Sequence, residues 1–96
     1  MKTPLPILLL TLTLTTNTLA RNCTPGLNYC GRTLLNIGKY QPQIDQSLAD
    51  AHVGEANGGA DDLFHCVGGS NGVIRFVKYC VNGCRDEGKG ASDVCN

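Results

Sequence analysis

The stretch Leu63–Cys84, LFHCVGGSNGVIRFVKYCVNGC, sets two runs rich in β-branched and aromatic residues on either side of Gly68-Gly69-Ser70-Asn71-Gly72. The runs are Leu63–Val67 and Val73–Tyr79. Five residues of turn chemistry between two strand-like runs specify a β-hairpin with a longer loop. Cys66, Cys80 and Cys84 lie in or just beyond it, so half of the six cysteines anchor there. The hairpin is the covalent hub of the expected fold.

Upstream, the chain divides at residue 20. Met1-Lys2 gives a short positive end, and Leu5–Leu14 is an apolar run broken only by Pro6, Thr11 and Thr13. Thr18-Leu19-Ala20 then presents small residues where a signal peptidase reads them. The apolar run is shorter than the roughly 20 residues a membrane-spanning helix needs. Residues 1–20 are therefore expected to be a cleaved signal peptide, and residues 21–96 a single disulfide-rich secreted domain. No other apolar stretch approaches spanning length, so the mature part is expected to be soluble and extracellular.

A domain of this size buries a small share of its surface and needs staples. All six cysteines, Cys23, Cys30, Cys66, Cys80, Cys84 and Cys95, lie after residue 20. An even count in a small exported chain argues for three disulfides, each contributing about 2–4 kcal/mol. Zinc modules use two close cysteine pairs, whereas only Cys80 and Cys84 are close here. Neither a metal nor a cofactor is implied. Without Lys2, seven basic residues face eight acidic ones, a net charge of −1, and the basic ones are scattered. That is no footprint for nucleic acid or an anionic membrane.

Tyr29–Ile37 (YCGRTLLNI) reads as a strand, with Thr33, Leu35 and Ile37 on one face and Cys30 and Leu34 on the other. Gln41–Ala51 is the one good helix. Pro42 suits its first turn, and Tyr40, Ile44, Leu48 and Ala51 recur as a narrow apolar stripe. Gly54 is its expected stop. Gly54–Ala60 (GEANGGA) has no apolar period and reads as a mobile loop. Pro25-Gly26 and Asn82-Gly83 read as turns. Arg85–Ser92 (RDEGKGAS) is polar and glycine-rich, and Cys95 is placed to tie it down. The fold class is α+β: a small disulfide-stapled antiparallel sheet of three to four strands, with one main helix packed on one face.

Six cysteines allow fifteen pairings. The expectation is that Cys84–Cys95 closes the polar tail while Cys23 and Cys30 pair with Cys66 and Cys80. Asn22-Cys23-Thr24 fits the N-glycosylation pattern, but Pro25, the bonded Cys23 and the nearby new N-terminus all count against occupancy of Asn22. His52 and His65, with Glu55, Asp61 or Asp62 and with Arg75 for a phosphate, are the only acid–base candidates, and no spacing brings them together. The glycine-rich linker joins strands and opens no helix, so it is a turn and not a phosphate loop.

Across Cys23–Ile44 and Leu63–Cys95, the runs CTPGLNYCGRTLLNIGKYQPQI, LFHCVGG, GCRDEGKG and SDVC resemble a widespread group of small secreted cysteine-rich fungal proteins. The resemblance implies an effector candidate exported during contact with a host. It also suggests the fold of killer-toxin subunits encoded by smut-fungus viruses, two helices on a four-stranded antiparallel sheet. The chain departs from that plan in showing one helix and three strands, and Gly83 and Gly88 oppose a second helix in Val81–Gly88.

The leading functional expectation is a monomeric, non-enzymatic effector-like protein that binds a host or microbial protein or glycan outside the cell, with no nucleic-acid or membrane partner. The alternatives are an antimicrobial or killer-type toxin, which the near-neutral charge opposes, and a small hydrolase such as a nuclease. Partner contacts are expected first at Gly54–Asp62 and Arg85–Ser92.

Overall fold

The hairpin forms as its sequence specifies. In a computed structural model that describes residues 22–96, β2 (Asp62–Gly68) and β3 (Val73–Tyr79) pair antiparallel through a loop closed by Gly72 N–H donating to Gly69 O at 3.2 Å. The expected signal peptide at 1–20 lies outside the described residues. A short β1 (Asn28–Cys30) adds to the other edge of β2, giving a three-stranded antiparallel sheet in the order β1-β2-β3. Val67 and Val77 are skipped in the β2–β3 register and mark two bulges.

After β1 the structure departs from expectation. Tyr29–Ile37 is not one strand: residues 31–37 form a helix, α1 (Gly31–Ile37). Leu34 is fully buried while Leu35 is exposed, which a helix allows and a strand alternating at Thr33, Leu35 and Ile37 does not. Two turns are too short to show a helical period, so tertiary burial of Leu34 overrides β-propensity. Gly31 allows the helix to start there. A methyl group on it would strike the Gly59 carbonyl, and the next amide, Arg32 N–H, donates to Ala60 O at 3.1 Å. The second helix of the fold is therefore α1, and not Val81–Gly88.

The expected main helix is α2 (Gln41–Asp50), with Pro42 in its first turn. Tyr40, Ile44 and Leu48 are buried as the stripe requires, whereas Ala51 is exposed. Its stop is His52, not Gly54. His52 adopts φ 58°, its N–H donates to Ala49 O at 3.1 Å, and Val53 N–H reaches Leu48 O at 2.9 Å. These two bonds make a Schellman motif, with Val53 packed on the core beside it. Gly54–Ala60 is not featureless. It carries a 3-10 turn, Asn57–Gly59, whose Gly59 is buried against Ile44.

Two clusters fill the molecule. Between the helices and the sheet lie Leu34, Tyr40, Ile44, Leu48, Phe64, Cys66 and Ile74, with Phe64 and Phe76 edge-to-face at 6.2 Å. On the opposite sheet face, Cys30, Leu63, Cys80 and Cys84 pack together with Cys95. A two-stranded ladder, β4 (Cys84–Arg85) with β5 (Val94–Cys95), holds the C-terminal tail there.

All six cysteines are bonded, but not as expected beyond Cys23. The pairs are Cys23–Cys66, Cys30–Cys84 and Cys80–Cys95. Cys84 and Cys95 do face each other as ladder partners, yet each side chain bonds a cysteine outside the ladder. Sequence proximity identified the tail loop and missed the direction of its side chains. The outcome is the α+β disulfide-stapled class, with two α-helices and two small sheets among the described residues.

Candidate functional site

The acid–base candidates do not assemble. His52 is the left-handed cap of α2. Glu55 accepts from Gln41 Nε2 at 3.4 Å, beside Asp45, which the same nitrogen contacts at 2.9 Å. Its carboxyl is pushed above the usual range, chiefly by the hydrogen bond with Asp45. Asp61 pairs with Arg32 and accepts from Asn57 Nδ2 at 3.2 Å; Asn57 first and Arg32 second hold it below the ordinary value. Asp62 is buried with Oδ1 unpartnered, and burial followed by the Asp61 charge raises it. His65 and Arg75 are the exception: they are direct register partners across β2 and β3. No carboxylate of β1–β3 shares their row.

The site with the most converging polar groups lies at the C-terminal loop. A cavity of about 160 Å³ opens between the N-terminal segment, β1, α1 and residues 86–93. Its hydroxyls come from Thr24, Tyr29 and Thr33, its amide from Asn22, and its charges from Asp86 and Lys89 over an Ile37 wall. Asp93 holds the architecture. It is 3% exposed, and its carboxylate accepts Cys30 N–H and Glu87 N–H, both at 2.9 Å. Ser92 Oγ accepts Asn28 N–H at 2.9 Å, so the SDVC run seals the free edge of β1. Tyr29 Oη accepts Thr24 N–H at 2.8 Å, fixing the rim.

One group in this wall is unsatisfied. Thr33 is 7% exposed and its Oγ1 has no hydrogen-bond partner. Buried hydroxyls without partners are uncommon, because each forgoes the hydrogen bonds that water gave it. Exposure pointed to Arg85–Ser92 as contact loop, and most of the cavity's charge does come from it. Thr33 was missed because a strand reading gave its hydroxyl no cavity to line.

Asn22, the glycosylation candidate, donates Nδ2 to Gly69 O at 3.3 Å and Ser70 O at 3.1 Å. A glycan would attach at that same nitrogen and compete with both bonds. Among the described residues no His, Cys, Asp and Glu are grouped to hold a metal ion, and no helix is long and apolar enough to cross a membrane. Comparison with protein-family models, curated proteins and solved structures returns no match.

Proposed function

We propose that the chain is an exported protein acting outside the cell by binding, without chemistry of its own, and that its ligand is a sugar unit of an extracellular glycan. The observation that carries this reading is the Thr33 cavity. A polyhydroxylated ring needs several neutral donors and acceptors around one apolar wall. The cavity supplies three hydroxyls and an amide beside Ile37 and Tyr29, with room for several waters that a ring would displace. Three disulfides suit an oxidising compartment. The effector-like role rests on the sequence resemblance and on the expected signal peptide.

The test is titration of the oxidised protein with a panel of monosaccharides and short oligosaccharides, read by backbone amide NMR. A binding sugar should move Thr24, Thr33 and residues 86–93, and Thr33→Val should weaken it by about tenfold, the value of one hydrogen bond to a buried hydroxyl. Silence across the panel, or a Thr33→Val protein that binds as the parent does, would remove the reading.

A further inference from the structure

The sheet face turned away from the helices carries a polar row, one side chain per strand. Asn28, His65 and Arg75 are successive register partners across β1, β2 and β3. Directly opposed side chains in such a ladder stand about 4.5–5.5 Å apart at Cβ. The disulfide cluster covers the Cys30–Leu63 end of this face; along the row Arg75 is exposed, and Asn28 and His65 are half-buried.

The chemistry of the row is one-sided. Asn28 Oδ1 lies 2.8 Å from His65 Nδ1. With the amide oxygen accepting, Nδ1 keeps its proton, and Nε2 is the nitrogen that gains or loses one. Among the described residues Nε2 has no hydrogen-bond partner, and the Arg75 guanidinium has neither ion pair nor hydrogen bond. The two ion pairs among the described residues use Arg32 and Arg85 instead. Lys78, opposite Leu63, adds a further cation on β3 that makes no ion pair among the described residues. Asp50 of α2 borders one groove with Arg75 but accepts from Gln46 Nε2 at 2.7 Å, and Asp93, whose N–H donates to Asn28 O at 2.8 Å, turns its carboxylate to Cys30 N–H and Glu87 N–H.

We propose that the Asn28–His65–Arg75 row is an anion subsite for a tetrahedral oxyanion, the head of a phosphate or sulfate ester. Arg75 supplies a two-pronged N–H fork and His65 Nε2–H a third donor from the next strand. Asn28 is a positioning residue that fixes which imidazole nitrogen is presented. This subsite lies apart from the Thr33 cavity and does not rest on the sugar reading. Binding selects the imidazolium, so affinity rises as pH falls through the His65 titration. By reciprocity, the bound anion raises the His65 midpoint.

The experiment follows the Cε1–H signals of both histidines through a pH titration of the oxidised protein. It is run alone and with tens of millimolar sodium sulfate, inorganic phosphate or acetate at matched ionic strength. The expected result is an upward shift of about half a unit or more for His65 with sulfate or phosphate, and none for His52. Sulfate has no proton to exchange in this range, so comparing its arm with the phosphate arm separates the two ester types. Arg75→Gln, an exposed change that leaves the fold intact, should abolish the shift, and Asp50→Asn should preserve it. Equal movement of both histidines, an equal effect of acetate, or an undiminished shift in Arg75→Gln would overturn the proposal.

Discussion

Asp93 joins two parts of the chain through a single side chain. Its carboxylate takes one amide from the start of α1 and one from the loop beneath the cavity. Asp93→Ala strands two donors in a site that excludes water, and should lower stability by about 2–4 kcal/mol in urea unfolding. Asp93→Asn keeps one acceptor and should lose less. Asp62 behaves in the opposite sense. Its folded pKa lies above 3.8, so the fold binds that proton more tightly than the unfolded chain does. Its favourable contribution is complete below pH 3.8 and disappears as pH rises through the folded value. Asp62→Asn should therefore melt higher than the parent at neutral pH, with the gap closing below pH 3.8. A gap that persists into acid would assign the gain to something other than charge.

At the scale of elements, helix propensity and packing give opposite signs for two substitutions. Alanine favours a helix interior over glycine by about 1 kcal/mol, yet Gly31→Ala should destabilise, because the new methyl meets backbone of the 3-10 turn that cannot give way. His52→Gly relieves a left-handed conformation that glycine adopts freely, and should stabilise by about 0.5–1 kcal/mol. Thermal melts of the two variants should move in opposite directions. Parallel movement would mean that α1 is not seated against Gly59 as described.

At the scale of the molecule, the three disulfides tie three different distances along the chain. Cys80–Cys95 spans 15 residues, Cys23–Cys66 spans 43 and Cys30–Cys84 spans 54. If restraint of the unfolded chain dominates, Ser–Ser replacement of the short bridge should cost about 3 kcal/mol and of either long one about 1 kcal/mol more. Peptide mapping of the oxidised chain checks the connectivity first, since recovery of a Cys84–Cys95 peptide would contradict the fold. A long bridge also fixes the rim of the Thr33 cavity: Cys23–Cys66 anchors the segment that carries Asn22 and Thr24 to the sheet.

The sequence by itself determined the elements whose signals are local. Gly68–Gly72 between two β-branched runs produced the hairpin, Pro42 and the Ile44–Leu48 stripe produced α2, and an even cysteine count produced a fully bonded scaffold. These need only neighbours within a few residues. Tertiary structure alone decided the rest. Leu34 became helical because the core between sheet and α2 had a place for it, a benefit that β-propensity outweighs on local grounds. The cysteine pairing followed from which sheet face each side chain leaves, and register fixes that only once all strands are placed. The Thr33 cavity is assembled from four segments, and the His65–Arg75 row from three strands. Neither has a spacing to read along the chain, because proximity across a sheet arises from pairing and not from sequence distance.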